Sequence, residues 1–212
     1  MQTHVQEVRS SPPRVFHYSL DWRFLLPIAD VSKIRVVLED DSDFSQTLER
    51  VGILVSNQIS FSDVKRSGRE DTEALALPFG LPVRWVSTQA KDQMEFYRSI
   101  RHFICPSGHV LIGFENRWNA RPNPNYHPST PRRIAHQLTQ AGFRSIKIFG
   151  AMPDLRIPEY IFELQDQAMD FAMGHRFRRK TVLLRVIQTV SRSVGLSSLS
   201  GFLPCYFAVA VA

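Results

Sequence analysis

The most constraining feature lies near the middle of the chain. Residues 91–104 carry Met94, Tyr97 (or Arg98), Ile100, Arg101 and Ile104 around a helix at close to its own period. Pro106, Ser107 and Gly108 break that pattern, and His109 then opens an apolar run through Val110, Leu111, Ile112, Gly113 and Phe114. A run of that length and character predicts a buried strand entered directly from a helix. The chain must therefore build a sheet with helices packed on it.

The same alternation recurs on either side. Ile34, Arg35, Val36, Val37 and Leu38 read as a first buried strand, closed by the acidic loop Glu39, Asp40, Asp41, Ser42 and Asp43. A short helix follows, with Asp43 as N-cap, Phe44, Leu48 and Val51 on one face and Gly52 as its stop. Residues 53–56 form the next strand, residues 61–73 a loop or weak helix, and residues 83–87 a third strand entered through the turn at residues 79–82. After the strand at residues 109–114 comes a proline-rich loop, residues 115–128. A second helix follows over residues 131–141, with Thr130 as N-cap, Pro131 at its first position and Gly142 at its end. Residues 144–149 and 160–164 are two further strands, residues 166–190 are largely helical, and residues 202–211 supply the last strand. Strands and helices in this order predict an α/β fold, mostly parallel with helices on both faces. Two late strands with no helix between them add an antiparallel edge.

Length permits one such domain. The chain has 212 residues, so residues 31–212 read as a single α/β unit. The segment ahead of it, residues 1–30, reads as a lid or clamp carrying Phe16, Tyr18, Trp22, Phe24, Leu25 and Leu26. The net charge of +6 draws on Arg132, Arg133, Arg178, Arg179 and Lys180; with no nucleic-acid motif beside them these read as solvated helix faces, and binding of nucleic acid or anionic lipid is the alternative. Cys105 and Cys205 are the only cysteines, too few for a disulfide framework or a zinc cluster, and both read as reduced core residues. No apolar run has the length of a membrane span, and residues 1–13 lack the apolar segment of a secretory signal. A cytoplasmic protein is the expectation.

Residues 96–116, from Phe96 through Pro106, Ser107 and Gly108 to Glu115 and Asn116, resemble the helix, Pro-Gly-Gly turn and fifth strand of class I S-adenosylmethionine-dependent methyltransferases. Pro106 and Gly108 keep two of the three turn positions, and Ser107 replaces the first glycine. Residues 127–150, with Ala141, Gly142 and Phe143 closing the helix, resemble the next unit of that family. The resemblance implies a Rossmann-like sheet and a cofactor bound at the ends of its first strands.

Against that pattern, the positional equivalents of the cofactor residues are Glu39, Asp41, Asn57 and Ser87. The loop at residues 39–43 has no glycine to let backbone approach a ligand, and its carboxylates would repel the cofactor's own. Ser56, Asn57 and Gln58 stand where the family places an acid for the ribose hydroxyls, and they offer only neutral hydrogen bonds. Residues 38–109 are short for the usual number of strand-helix units, which predicts one abbreviated βα unit, with residues 61–73 the part reduced. Expectation for cofactors is therefore none, with S-adenosylmethionine in an altered mode as the alternative.

Catalytic candidates are few. His127, Tyr126 and Glu115 lie in or beside the loop after the fifth strand, where the family often holds substrate, and a histidine there has the chemistry of a general base. The alternative for His127 is a surface histidine ahead of Pro128. Asp40, Asp41 and Asp43 could offer oxygen ligands to a divalent cation but lack the glycine and distal glutamate of a calcium loop; they read as a solvated loop that caps the next helix through Asp43, so no metal is expected. The expected function is a methyltransferase-like protein without catalysis of its own, a partner or regulatory subunit of an active methyltransferase in a homo- or hetero-oligomer. The alternative is a tailoring enzyme acting on a small natural-product-like ligand in the same pocket.

Overall fold

The structure is a computed structural model, and it describes residues 22–28, 30–37, 58–60, 64, 72–83, 85–119, 123–155, 158–165, 168–169, 171–172, 201 and 203–212. Strands β1 (Ile34–Val37), β2 (Gln58–Ile59), β3 (Thr72–Leu77), β4 (Ile104–Glu115), β5 (Arg144–Met152), β6 (Tyr160–Glu163) and β7 (Cys205–Val211) form one sheet in the order β2-β1-β3-β4-β7-β5-β6. Helices α1 (Ala90–Phe103) and α2 (Pro131–Gln140) connect β3 to β4 and β4 to β5.

Pairing from β2 through β4 is parallel, and β7 then enters antiparallel between β4 and β5. Two antiparallel steps return β5 to the direction of β4, and β6 turns back along it as an antiparallel edge. This is the mostly parallel α/β sheet with an antiparallel edge that the sequence predicts. Beyond β1 the described sheet carries only the two-residue β2.

Central strands are buried on both faces, and their side chains alternate between two clusters as a two-residue period requires. Leu75, Leu77, Val110, Ile112, Phe114, Tyr206, Ala208 and Ala210 pack with Phe96, Tyr97, Ile100, Ile134 and Leu138 of the two helices. Their neighbours in sequence, Ala74, Ala76, Leu111, Cys205, Phe207 and Val209, face the other way and pack with Trp22, Leu26 and Leu155.

Helix signals match closely. Thr130 Oγ1 accepts from Arg133 N at 3.3 Å, Pro131 takes the first helical position, and Gly142 follows the last turn at φ +92°. That left-handed conformation is one glycine reaches without a Cβ penalty.

Several boundaries differ from expectation. The described residues among 83–87 are not a strand: Pro82 makes an isolated bridge with Tyr126, and Val86 N bonds back to Pro82 O, as in a turn. The third strand is instead β3, which takes Thr72 and Glu73 out of the stretch expected to be a loop or weak helix. Strand pairing in β4 begins at Ile104, ahead of His109. Thr72 pairs with Ile104 and Ala74 with His109, so the Pro106, Ser107, Gly108 turn is an irregularity inside β4 rather than a gap before it. Ser107 sits there at φ +67°, in the region that favours glycine. The expected acidic loop at residues 39–43, the helix after it, the strand at residues 53–56 and most of the helix at residues 166–190 lie outside the described residues.

Candidate functional site

In an open α/β sheet, ligands bind beyond the carboxyl ends of the parallel strands. At that end of β3 and β4 the chain places residues 78–83, 85–87, 116–119 and 123–129, and it ties them to one another. Tyr126 bridges Pro82, Val83 N donates to Asn125 O at 2.8 Å and His127 N donates to Leu81 O at 2.9 Å. His127 Nε2 lies 2.5 Å from Val86 O. A carbonyl only accepts, so Nε2 is the donor.

The root of the second loop is fixed by Asn116, a residue that the sequence reading did not single out. It is fully buried. Its Nδ2 donates among Gly201 O (2.6 Å), Leu203 O (2.8 Å) and Tyr206 Oη (3.2 Å), while its Oδ1 accepts from Trp118 N at 3.2 Å. Its position was the available signal: an asparagine where an apolar strand gives way to a polar loop must satisfy its amide inside the fold.

Of the three catalytic candidates, all belong to this loop closure, and they do not converge. Glu115 Oε2 accepts from Asn123 N at 2.6 Å, and the Glu115 carbonyl accepts from Ser129 N at 2.8 Å. Tyr126 packs on Phe79, ring centroids 6.1 Å apart, as part of the cluster on the Trp22 face. His127 instead lines a small cavity on the helical face with Ile112, Phe114 and Ile134. Glu115 acts on a different neighbour: with burial as the larger cause, its charge and that of Asp154 push the Cys205 thiol up to about 12, against a hydrogen bond from the Leu155 backbone.

Glu39, Asp41 and Asn57 lie outside the described residues. Ser87 is described, and its hydroxyl donates to the Asp92 carboxylate and accepts from Gln89 N at 3.1 Å. It organises the start of α1. The two glycines at the carboxyl end are likewise engaged with protein. A Cβ on Gly113 would stand 1.9 Å from Pro78 O, and one on Gly80, at φ +97°, would stand 2.7 Å from Gly113 O. Backbone fills the close approach that such glycines give a ligand in a cofactor loop.

Among the described residues no group of three or more His, Cys, Asp or Glu could hold a metal ion, and no helix is long and apolar enough to cross a membrane.

No family model matches the chain, and no curated protein matches it. Solved structures do. A SAM-dependent methyltransferase from Archaeoglobus fulgidus aligns over 84% of this chain and 75% of its own, at 14% identity and TM-score 0.46. An S-adenosylmethionine-dependent methyltransferase from Mesorhizobium loti aligns over 84% and 79%, at 12% identity and TM-score 0.43. A possible exported protein from Bordetella parapertussis aligns over 84% of this chain but 52% of its own, at 12% identity and TM-score 0.42.

Proposed function

We propose that this methyltransferase-like chain works without catalysis of its own, as a partner or regulatory subunit of an active enzyme, most simply a methyltransferase of the same fold. The observation that carries the reading is the closure at the carboxyl ends of β3 and β4. There the turn at Pro78 lies against Gly113, and the loop carrying Tyr126 and His127 is hydrogen-bonded onto residues 81–86. Side chains that would have to meet a substrate hold this closure together. The glycine-free acidic loop at residues 39–43 argues the same way on the cofactor side.

Titration calorimetry of the full chain with S-adenosylmethionine tests it. No binding heat at micromolar concentrations is expected, and a micromolar Kd would overturn the reading. Affinity purification from the native host, followed by mass spectrometry, then identifies the partner.

One observation favours a second reading, a small-molecule enzyme using His127 as base. Its Nε2–H is held by a backbone carbonyl, an arrangement that orients an imidazole and leaves Nδ1 outside that bond. Loss of turnover in His127→Ala, on a substrate found by screening, would favour that reading; unchanged turnover would dismiss it.

A further inference from the structure

Between α1, α2 and the loop at residues 127–129 lies a cavity of about 10 Å³. Its walls are apolar at Leu81, Ile112, Phe114 and Ile134, yet three lining side chains carry a buried polar atom with no protein hydrogen-bond partner among the described residues. These are Tyr97 Oη on α1, Gln137 Oε1 on α2 and Ser129 Oγ on the loop, and their residues are 0%, 5% and 7% exposed. A buried hydroxyl or amide oxygen left unpaired is costly, and three around one cavity are not a packing accident that a stable fold tolerates.

Chemistry of the walls limits the guest. Gln137 Nε2 donates to Gln93 Oε1 at 2.9 Å, which leaves Gln137 Oε1, a pure acceptor, as the end of that lining amide still to be satisfied. The guest must therefore give a hydrogen. Tyr97 and Ser129 hydroxyls either give or accept, so they impose no charge. Arg133 donates to the same Gln93 Oε1 at 3.0 Å, and a guanidinium bonded to that lining glutamine disfavours a cationic guest such as ammonium. An anion would meet the lone pairs of Gln137 Oε1. Burial holds the Tyr97 phenol well above its ordinary range, with the Arg133 charge opposing, so it too stays neutral. The volume accommodates about one water.

We propose that this cavity is a binding site for a single water molecule, which bridges Tyr97, Gln137 and Ser129 and so keys the loop that closes the carboxyl end of the sheet to both helices. This site is independent of whether the chain is a partner protein or an enzyme.

Two measurements on the full chain test it. With isoleucine methyls labelled, water–protein NOE spectra of the wild type are expected to show a long-lived water beside Ile112 and Ile134; no such cross-peak overturns the site. The second reads a sign. If the Tyr97 hydroxyl bonds the water, Tyr97→Phe lowers the folding equilibrium constant about fivefold, the size of one net hydrogen bond. If the cavity is dry, deleting an unpaired hydroxyl leaves the constant unchanged or raises it, which overturns the proposal. Because the guest is shared, Tyr97→Phe and Ser129→Ala are expected to be coupled in a double-mutant cycle. Simple additivity would mean that no guest joins them.

Discussion

Gly113→Ala probes the packing on which the functional reading rests. The new Cβ would lie 1.9 Å from Pro78 O, 2.6 Å from Pro78 C and 3.1 Å from Phe207 Cε1. A carbon and a carbonyl oxygen approach to about 3.3 Å at closest, so the turn after β3 must retreat by about 1.4 Å. Both sides of this contact are backbone, and no rotamer change relieves it. Retreat of the turn also disturbs its neighbour contacts, because Gly80 in that turn is packed on Gly113 O. Overpacking of a core by one methyl costs about 1–3 kcal/mol, and a clash that only backbone movement relieves belongs at about 3 kcal/mol. In a chain of this size that lowers Tm by about 6–12 °C. The assay is urea unfolding followed by circular dichroism and tryptophan fluorescence, with coincident transitions required before a free energy is extracted. Gly201→Ala is the control, since a Cβ there meets nothing within 4 Å. A Gly113→Ala protein within about 1 kcal/mol of the parent would refute the tight closure; the space beside Gly113 would then be open to a ligand.

The remaining predictions follow from single residues. Asn116→Ala removes the amide that serves Gly201 O, Leu203 O and Tyr206 Oη, and it is expected to cost about 2–3 kcal/mol; a Tm within about 1 °C of wild type would contradict that role. Ser107→Gly is expected to be neutral or to stabilise by up to about 1 kcal/mol, because φ +67° costs serine and not glycine, whereas Ser107→Val should destabilise by about 1–2 kcal/mol. Equal melting temperatures for the two variants would show that the turn is relaxed. The raised Cys205 pKa makes the fold favour the neutral thiol. Its contribution is complete below the ordinary thiol value of 9.0 and is lost as pH rises from there toward about 12. In iodoacetamide labelling at pH 8, half-buried Cys105 should therefore react and buried Cys205 should not; alkylation of both at similar rates would count against a buried Cys205.

What was legible in the sequence were the elements whose signals are local. Thr130, Pro131 and Gly142 bracket α2 because capping chemistry depends on a few adjacent residues. The period of Met94, Tyr97 and Ile100 marks α1, and the run from Val110 to Phe114 marks the centre of β4. β3 was missed for a physical reason. Beyond Thr72 the strand is Glu73, Ala74, Leu75, Ala76 and Leu77, with no β-branched or aromatic side chain, so little that is local favours a strand. Tertiary packing decides there: the two alanines face the Trp22 cluster while the two leucines face the helices. Residues 83–87 misled in the opposite sense. Val83, Trp85 and Val86 have strand composition, but Val83 N is taken by Asn125 O from a loop that no local pattern announces.

The same division runs through the candidate site. Residue types and position drew attention to His127, Tyr126 and Glu115, and the structure does place them at one closure. Convergence is another matter, because Tyr126 and His127 are adjacent in an extended stretch and their side chains leave it toward opposite faces. Two neighbours in such a segment cannot both address one ligand unless the backbone turns between them. Here the backbone is held in place by the Pro82 bridge at Tyr126 and the Leu81 carbonyl at His127. Any catalytic use of His127 must therefore recruit partners from the helical face, where Gln93, Tyr97 and Gln137 already stand around the small cavity, and must do without Tyr126. A base acting there would need the cavity to grow from the room of one water to that of a substrate, which requires the loop at residues 127–129 to lift off Val86 and Leu81. The closure that supports a partner role is thus also the barrier that an enzymatic role would have to overcome.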